Sequence, residues 1–359
     1  EIMRSLKALI ARGQSPWYDN LSRKLISSGD LEELIEEGIV GITSNPTIFD
    51  NAISNSNDYD SALAKNAKDA ISAQDTYWDL VCKDIANAAD ILRNVYDSTN
   101  KLDGYVSVEV SPLLANDTVE TIVQANELFT RISKDNVMIK IPATKEGIGA
   151  IEAVISNNIP VNVTLIFSVE RYQEVIDAYK KGIANLRSSG IYSTPACVAS
   201  FFISRLDAKV DEQLEEGSDL IGKAANANAS MAYEIFQREF KDSLDNPNEL
   251  MRPLWASTSI KNKSFSPTLY VDELLAKNTV NTLPHTTIEA IRSQPDDFPS
   301  SDLDDNREKH SKFMERILEK VDIDAIMQQL EDEGVESFKK SYHSCLESIS
   351  ARLEQFTTK

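Results

Sequence analysis

Short runs of apolar and β-branched residues recur along the chain, separated by longer stretches in which apolar residues return every three or four positions. The short runs predict strands at 15–19 (SPWYD), 39–43 (IVGIT), 105–110 (YVSVEV), 137–141 (VMIKI), 161–166 (VNVTLI), 195–200 (PACVAS), 252–257 (RPLWAS) and 279–283 (TVNTL). Between them, Asp117 is placed to cap a helix over 117–133 with an apolar stripe of Val119, Ile122, Val123, Phe129 and Ile132, and further helices are expected at 148–156 and 168–187. Strand alternating with helix argues for parallel βα units, and eight of them match an α/β fold of the (β/α)8 TIM-barrel type, with an open doubly wound sheet as the rival. A barrel needs about 250 residues. The remaining 110 or so of the 359 fall into a helical insertion over about 50–100, a helical excursion at 201–246 and a C-terminal helical extension over about 303–359. The tail carries apolar positions around Ile317, Ile326, Leu330 and Phe338, which fit a packed cap helix, with a contact in a homodimer as the lesser reading. SQPDDFPSSDLDD at 293–305 is the best candidate for a linker, but the tail beyond it is too short for a second domain, so residues 1–359 are expected to form one barrel domain.

Three strands are polar on one face only. Ser107 and Glu109 oppose Val106, Val108 and Val110; Lys140 opposes Ile139 and Ile141; Asn162 and Thr164 oppose Val161, Val163 and Leu165. In an antiparallel sheet such a face would be wet. Helical connections point to a barrel instead, whose apolar faces meet the helices, so Glu109, Lys140, Asn162 and Thr164 converge inside. An ammonium in apolar surroundings is costly, which favours the neutral amine that attacks a carbonyl. The pattern leaves two roles open for Lys140, a structural lysine paired with Glu109 or a Schiff-base nucleophile.

In TSNPT, Pro46 ends the second strand in a turn that places Asn45 where barrel enzymes build their sites. Ser200, Arg205 and Lys261 follow or close the later strands, near which barrels often hold phosphate. Taken singly, Arg205 reads as a helix-surface charge near Asp207 and Lys261 as a loop lysine beside Lys263, and neither phosphate role stands on the pattern alone.

The charge balance narrows the partners. Lys plus Arg number 37 against 57 Asp plus Glu, a formal net charge of −20 that repels nucleic-acid phosphates, so a phosphorylated ligand requires a local basic pocket. Three cysteines, Cys82, Cys197 and Cys345, without CxxC spacing suggest neither a disulfide framework nor a zinc ribbon and fit a reducing, cytoplasmic setting. No apolar run reaches the roughly 18 residues of a membrane helix, and no membrane partner is expected. A chain that opens at Glu1 rather than Met is compatible with removal of a targeting segment. His285, His310 and His343 lie apart without HExxH spacing, so no metal is expected. KEGIGA holds only GxG, and P-loop and GxSxG motifs are absent, so no nucleotide cofactor is expected either.

WYDNLSR (17–23), GITSNPTIF (41–49), VSVEVSP (106–112), MIKIPAT (138–144), VNVTLIFS (161–168), ASFFISRLD (199–207) and LWASTSIKN (254–262), in this order, resemble the transaldolase family, and the likeness runs on to QLEDEGVESF (329–338). The resemblance implies a cofactor-free transferase of the non-oxidative pentose phosphate pathway, moving a dihydroxyacetone unit from sedoheptulose 7-phosphate to glyceraldehyde 3-phosphate. It implies Lys140 as the Schiff-base lysine, Asp19 as the group that handles the C4 hydroxyl proton, and Glu109 with Thr164 as holders of a proton-shuttling water. It also implies Asn45 and Asn162 on the ketol hydroxyls, Ser200, Arg205 and Lys261 on the substrate phosphate, and Phe202 on the acceptor side. Many members carry arginine where this chain has Lys261, which keeps the charge and loses the bidentate fork. Two alternatives remain: a class I aldolase that releases free dihydroxyacetone, whose resembling members tend to carry glutamine in place of Glu109, and a catalytically inactive barrel used as a scaffold.

Overall fold

The computed structural model describes residues 4–358. Eight strands, β1 (Gln14–Tyr18), β2 (Gly41–Thr43), β3 (Tyr105–Glu109), β4 (Val137–Pro142), β5 (Val161–Ile166), β6 (Cys197–Phe202), β7 (Met251–Ala256) and β8 (Thr279–Leu283), close into one barrel in chain order. Every neighbouring pair is parallel, and β8 closes on β1 from Gln14↔Thr279 to Tyr18↔Leu283. The expected α/β barrel is therefore what the chain forms.

Local chemistry fixes where several of the helices begin. Asn45 accepts the Ile48 N–H and is followed by Pro46 at the first helical position, which ends β2 and starts the helix Pro46–Asn55. Asp117, Thr144 and Ser168 cap the helices Thr118–Ile132, Lys145–Ser156 and Val169–Ser188 in the same way. One expected stripe is corrected: Val119 is 66% and Val123 43% exposed, because Thr118–Ile132 buries the face of Thr121, Ala125, Leu128 and Ile132 instead. A second correction moves β6 two residues onward, so Phe201 and Phe202 belong to the strand and not to the helical excursion.

The insertion consists of the helices Pro46–Asn55, Asp60–Lys68, Ala73–Ile91 and Arg93–Ser98. Across it lies the C-terminal helix Ile323–Thr357, which packs on the first three of those helices and sets Tyr342 edge-on against Tyr77 with ring centroids 5.1 Å apart. Ser344 and Ser348 donate to Asp50, and Arg352 pairs with Asp60. The stretch 293–305 is fastened rather than free: Leu303 is fully buried with its N–H on the Leu275 carbonyl at 2.8 Å, and Arg12 donates to the Pro299 carbonyl at 2.6 Å.

The barrel's interior differs between its ends. At the strands' N-terminal end, Gly41 makes room for the Trp17 indole, since a Cβ there would lie 2.6 Å from the ring. That indole and Ser15 donate to Asp103, which also receives Arg252 at 3.0 Å, so this end is closed by a buried polar cluster. The C-terminal end is open.

Candidate active site

The register of the strands brings the polar faces together. Glu109 on β3 stands beside Lys140 on β4, and Lys140 beside Asn162 on β5, so the three share one inward-facing row near the open end. A cavity of about 290 Å³ occupies that end, lined by Asp19, Asn45, Lys140, Asn162, Thr164, Ser200, Phe202, Arg205 and Lys261. Nine of the ten residues singled out in the sequence thus line one cavity, and the tenth, Glu109, touches it through Lys140.

Lys140 Nζ lies 3.5 Å from Glu109 Oε1 and donates to the Ser44 carbonyl at 3.2 Å, with only 11% of the side chain exposed. The Glu109 carboxylate is nearly buried, and its second oxygen, Oε2, has no hydrogen-bond partner among the described residues. Desolvation raises the Glu109 pKa above the ordinary carboxylate value, while the Lys140 ammonium pulls it back and Asp19 adds to the rise. Asp19, just past the end of β1, accepts the Thr43 hydroxyl at 3.0 Å. Its pKa is also raised by removal from water, against the opposing pull of Lys140 and of the Thr43 hydrogen bond.

Below the lysine, Ser200 donates to Asn162 Oδ1 at 2.6 Å, and Asn162 Nδ2 donates to Ser107 Oγ at 3.1 Å. Asn162 is held in one orientation by these two contacts. Thr164 follows two positions on, at a bulge where the register shifts between Val163 and Ile166 and Leu165 adopts a left-handed backbone with φ 58°. The bulge re-aims the end of β5, so Thr164 faces the cavity while Leu165 packs beneath Gly334 of the C-terminal helix. Asn45 spends its side-chain oxygen on the helix cap, which leaves its amide N–H groups as the donors it can offer.

The far wall is cationic. Arg205 opens the helix Ser204–Asp211 and lies over the Phe202 ring at 5.3 Å, not beside Asp207, whose carboxylate instead receives Ala225 N–H and Tyr270 OH. Burial lowers the Arg205 pKa, opposed by Glu333, itself paired with Lys209 at 3.4 Å. Lys261 is exposed at the rim, on the loop after β7. That loop also lines the cavity with Ser257, Thr258 and Ser259, and Phe338 reaches in from the C-terminal helix. Sequence reasoning does not single out these four as site residues. Ser259 stands two positions before Lys261 within the same LWASTSIKN block, and Phe338 is one of the tail's apolar positions, so both carry a signal that could have found them.

Among the described residues, no group of three or more His, Cys, Asp or Glu side chains is placed to hold a metal ion. No described helix is long and apolar enough to cross a membrane.

Residues 16–349 match the family model of transaldolase/fructose-6-phosphate aldolase. The chain belongs to that family. It is 44% identical to a transaldolase of Saccharopolyspora erythraea, with 98% of each chain covered. A transaldolase of Mycolicibacterium smegmatis is 41% identical, and transaldolase 2 of Streptomyces avermitilis 40%, again over 98% of each chain.

Proposed function

We propose that the chain is a transaldolase, which carries a dihydroxyacetone unit on Lys140 from a ketose phosphate such as sedoheptulose 7-phosphate to glyceraldehyde 3-phosphate. The observation that carries this reading is the Lys140 amine, nearly buried between two carboxylates of raised pKa, at one end of a cavity whose other end is cationic. The neutral amine attacks the ketose C2 carbonyl, and loss of water gives a protonated imine. Glu109, whose Oε2 is unpartnered, relays the protons of that dehydration through a water shared with Thr164. Asp19 takes the C4 hydroxyl proton, the C3–C4 bond breaks, and its electron pair moves into the iminium to leave an enamine and a free aldehyde. An acceptor aldehyde then reverses these steps.

Asn45 and Asn162 hold the ketol hydroxyls. Ser200, Arg205 and Lys261 hold the phosphate, and Phe202 packs on the acceptor side beneath Arg205. No cofactor or metal enters, since the iminium is itself the electron sink. The whole chain works as one barrel unit, because Phe338 of the tail supplies part of the cavity wall. The three cysteines are free and buried, which suits the cytoplasm as its compartment.

With fructose 6-phosphate alone, cleavage stops near one equivalent per site and little dihydroxyacetone appears. Adding excess erythrose 4-phosphate starts sustained turnover and yields sedoheptulose 7-phosphate. Turnover that is the same with and without acceptor would replace transfer by the aldolase reaction, and no cleavage at all would leave an inactive barrel.

A further inference from the structure

The two cationic side chains come from different crossovers, Arg205 from the helix after β6 and Lys261 from the loop after β7, so their separation is set by whatever joins those segments. Two connections do so. The first runs beside the cavity: Ser204 N–H donates to the Ser257 carbonyl at 3.0 Å, and the Ser204 and Ser257 hydroxyls lie 2.9 Å apart. Ser257 adopts a left-handed backbone there, with φ 56°.

The second connection runs behind the cavity wall and is buried throughout. Asp207, two residues after Arg205, accepts the Tyr270 hydroxyl at 2.5 Å and the Ala225 N–H at 2.8 Å. The Tyr270 carbonyl accepts Asn281 Nδ2 at 3.2 Å, and Asn281 Oδ1 accepts the Thr258 hydroxyl at 3.0 Å. Thr258 precedes Ser259 and stands three residues before Lys261. Asp207, Tyr270, Asn281 and Thr258 are each at most 2% exposed. Asp207 and Tyr270 do not line the cavity, and no step of the proposed reaction uses them.

A polar chain buried this completely is costly unless it is fully connected, and once connected it admits few alternative geometries. Burial raises the Asp207 pKa to about 6, with Asp211 adding to the rise while the Tyr270 and Ala225 hydrogen bonds and Lys223 oppose it.

We infer that Asp207 and Tyr270 are positioning residues for phosphate recognition, which fix Arg205 and the Thr258–Lys261 loop at the spacing a phosphate group bridges. This inference rests on the proposed role of Arg205 and Lys261. Removing the Tyr270 hydroxyl frees one segment to drift against the other without touching Lys140 or its carboxylates. The expected loss is therefore in ground-state binding of the phosphate and not in the chemical step.

The test is steady-state kinetics of the full-length Tyr270→Phe enzyme, with fructose 6-phosphate held saturating as donor. Erythrose 4-phosphate and unphosphorylated glyceraldehyde are compared as acceptors, and inorganic phosphate serves as inhibitor. KM for erythrose 4-phosphate and the inhibition constant of phosphate should both rise about three- to tenfold. The kcat should stay within about twofold, and kcat/KM for glyceraldehyde should not change. Asp207→Asn, which keeps the shape and an acceptor oxygen, should show the same selectivity at about two- to threefold, and it decides the matter if Tyr270→Phe does not fold. Equal losses on both acceptors, or no change on either, would overturn the inference. Arg205→Ala run in parallel separates the two levels: if it too loses equally on both acceptors, the phosphate role itself has failed and the inference falls with it. If Arg205→Ala is phosphate-selective and Tyr270→Phe is not, only the positioning role is lost.

Discussion

The barrel encloses two buried cation–carboxylate pairs, one at each end, and they differ in almost everything except burial. At the closed end, Arg252 and Asp103 are 5% and 6% exposed and stand 3.0 Å apart. Asp103 also accepts Ser15 Oγ at 2.8 Å and Trp17 Nε1 at 3.0 Å, while Arg252 donates further to Ser15 Oγ and to the Leu102 carbonyl. At the open end, Lys140 and Glu109 are 11% and 9% exposed, yet they stand 3.5 Å apart and one Glu109 oxygen has no partner among the described residues. A planar guanidinium that stays charged suits the first pair, whereas an ammonium that can give up its proton suits the second. The contrast separates a densely hydrogen-bonded pair that closes one end of the barrel from a looser pair beside the cavity, where the proposed reaction places the substrate.

Each pair can be broken separately. Lys140→Arg keeps a cation at the open end and removes the proposed nucleophile. Transfer activity should fall on the order of 10⁴-fold or more, above about 5 kcal/mol of transition-state stabilisation, while the thermal midpoint changes little. Asp103→Ala at the closed end should do the reverse. Leaving Arg252 as an unpaired buried charge should cost about 3–5 kcal/mol in denaturant-induced unfolding, with kcat per folded molecule nearly unchanged. If Asp103→Ala abolished catalysis in folded protein, the two ends would not be independent.

The cationic wall should give a smaller and selective effect. Neutralising Arg205 or Lys261 should cost on the order of 1.5–3 kcal/mol in kcat/KM for phosphorylated acceptors and leave unphosphorylated ones nearly unchanged. The exposed Lys261 should give the lesser loss of the two.

Smallest of all should be a stability effect at Asp19. Its folded-state pKa lies above that of the unfolded chain, so near neutral pH the fold holds a carboxylate that would be more comfortable in water. That penalty is absent below the unfolded pKa, where both states are protonated, and it develops as pH rises through the folded pKa. Asp19→Asn should therefore raise the thermal midpoint at pH 8, and the gain should shrink as pH falls through the carboxylate range. Melting curves at both pH values check this, and a gain that grew toward acid pH would reverse the sign assigned to the site.

Much of the open end is legible in the sequence because strand alternation reports which side chains share a face. Ser107 with Glu109, Lys140, and Asn162 with Thr164 form one set on that basis, and the register makes them neighbours. The closed-end pair is not legible: Asp103 lies in a turn-like KLDGY, and its partner Arg252 is 149 residues away. The β6 boundary is hidden because FFISRLD continues smoothly into helical periodicity, whereas the backbone pairing with β7 persists to Phe202↔Ala256. Val119 and Val123 mislead because a stripe drawn from large apolar residues overlooks Thr121 and Ala125, the small side chains on which Thr118–Ile132 packs. Ser257, Thr258 and Ser259 reach the cavity from a loop, where no periodicity indicates direction.

Covalent trapping shows where the substrate carbon becomes attached. The enzyme is incubated with fructose 6-phosphate, the imine is reduced with borohydride, and the peptides are sequenced by mass spectrometry. A three-carbon adduct on the peptide containing Lys140, absent from Lys140→Arg, is the expected result. An adduct found solely on another lysine, or none under conditions in which the enzyme turns over, would contradict the account.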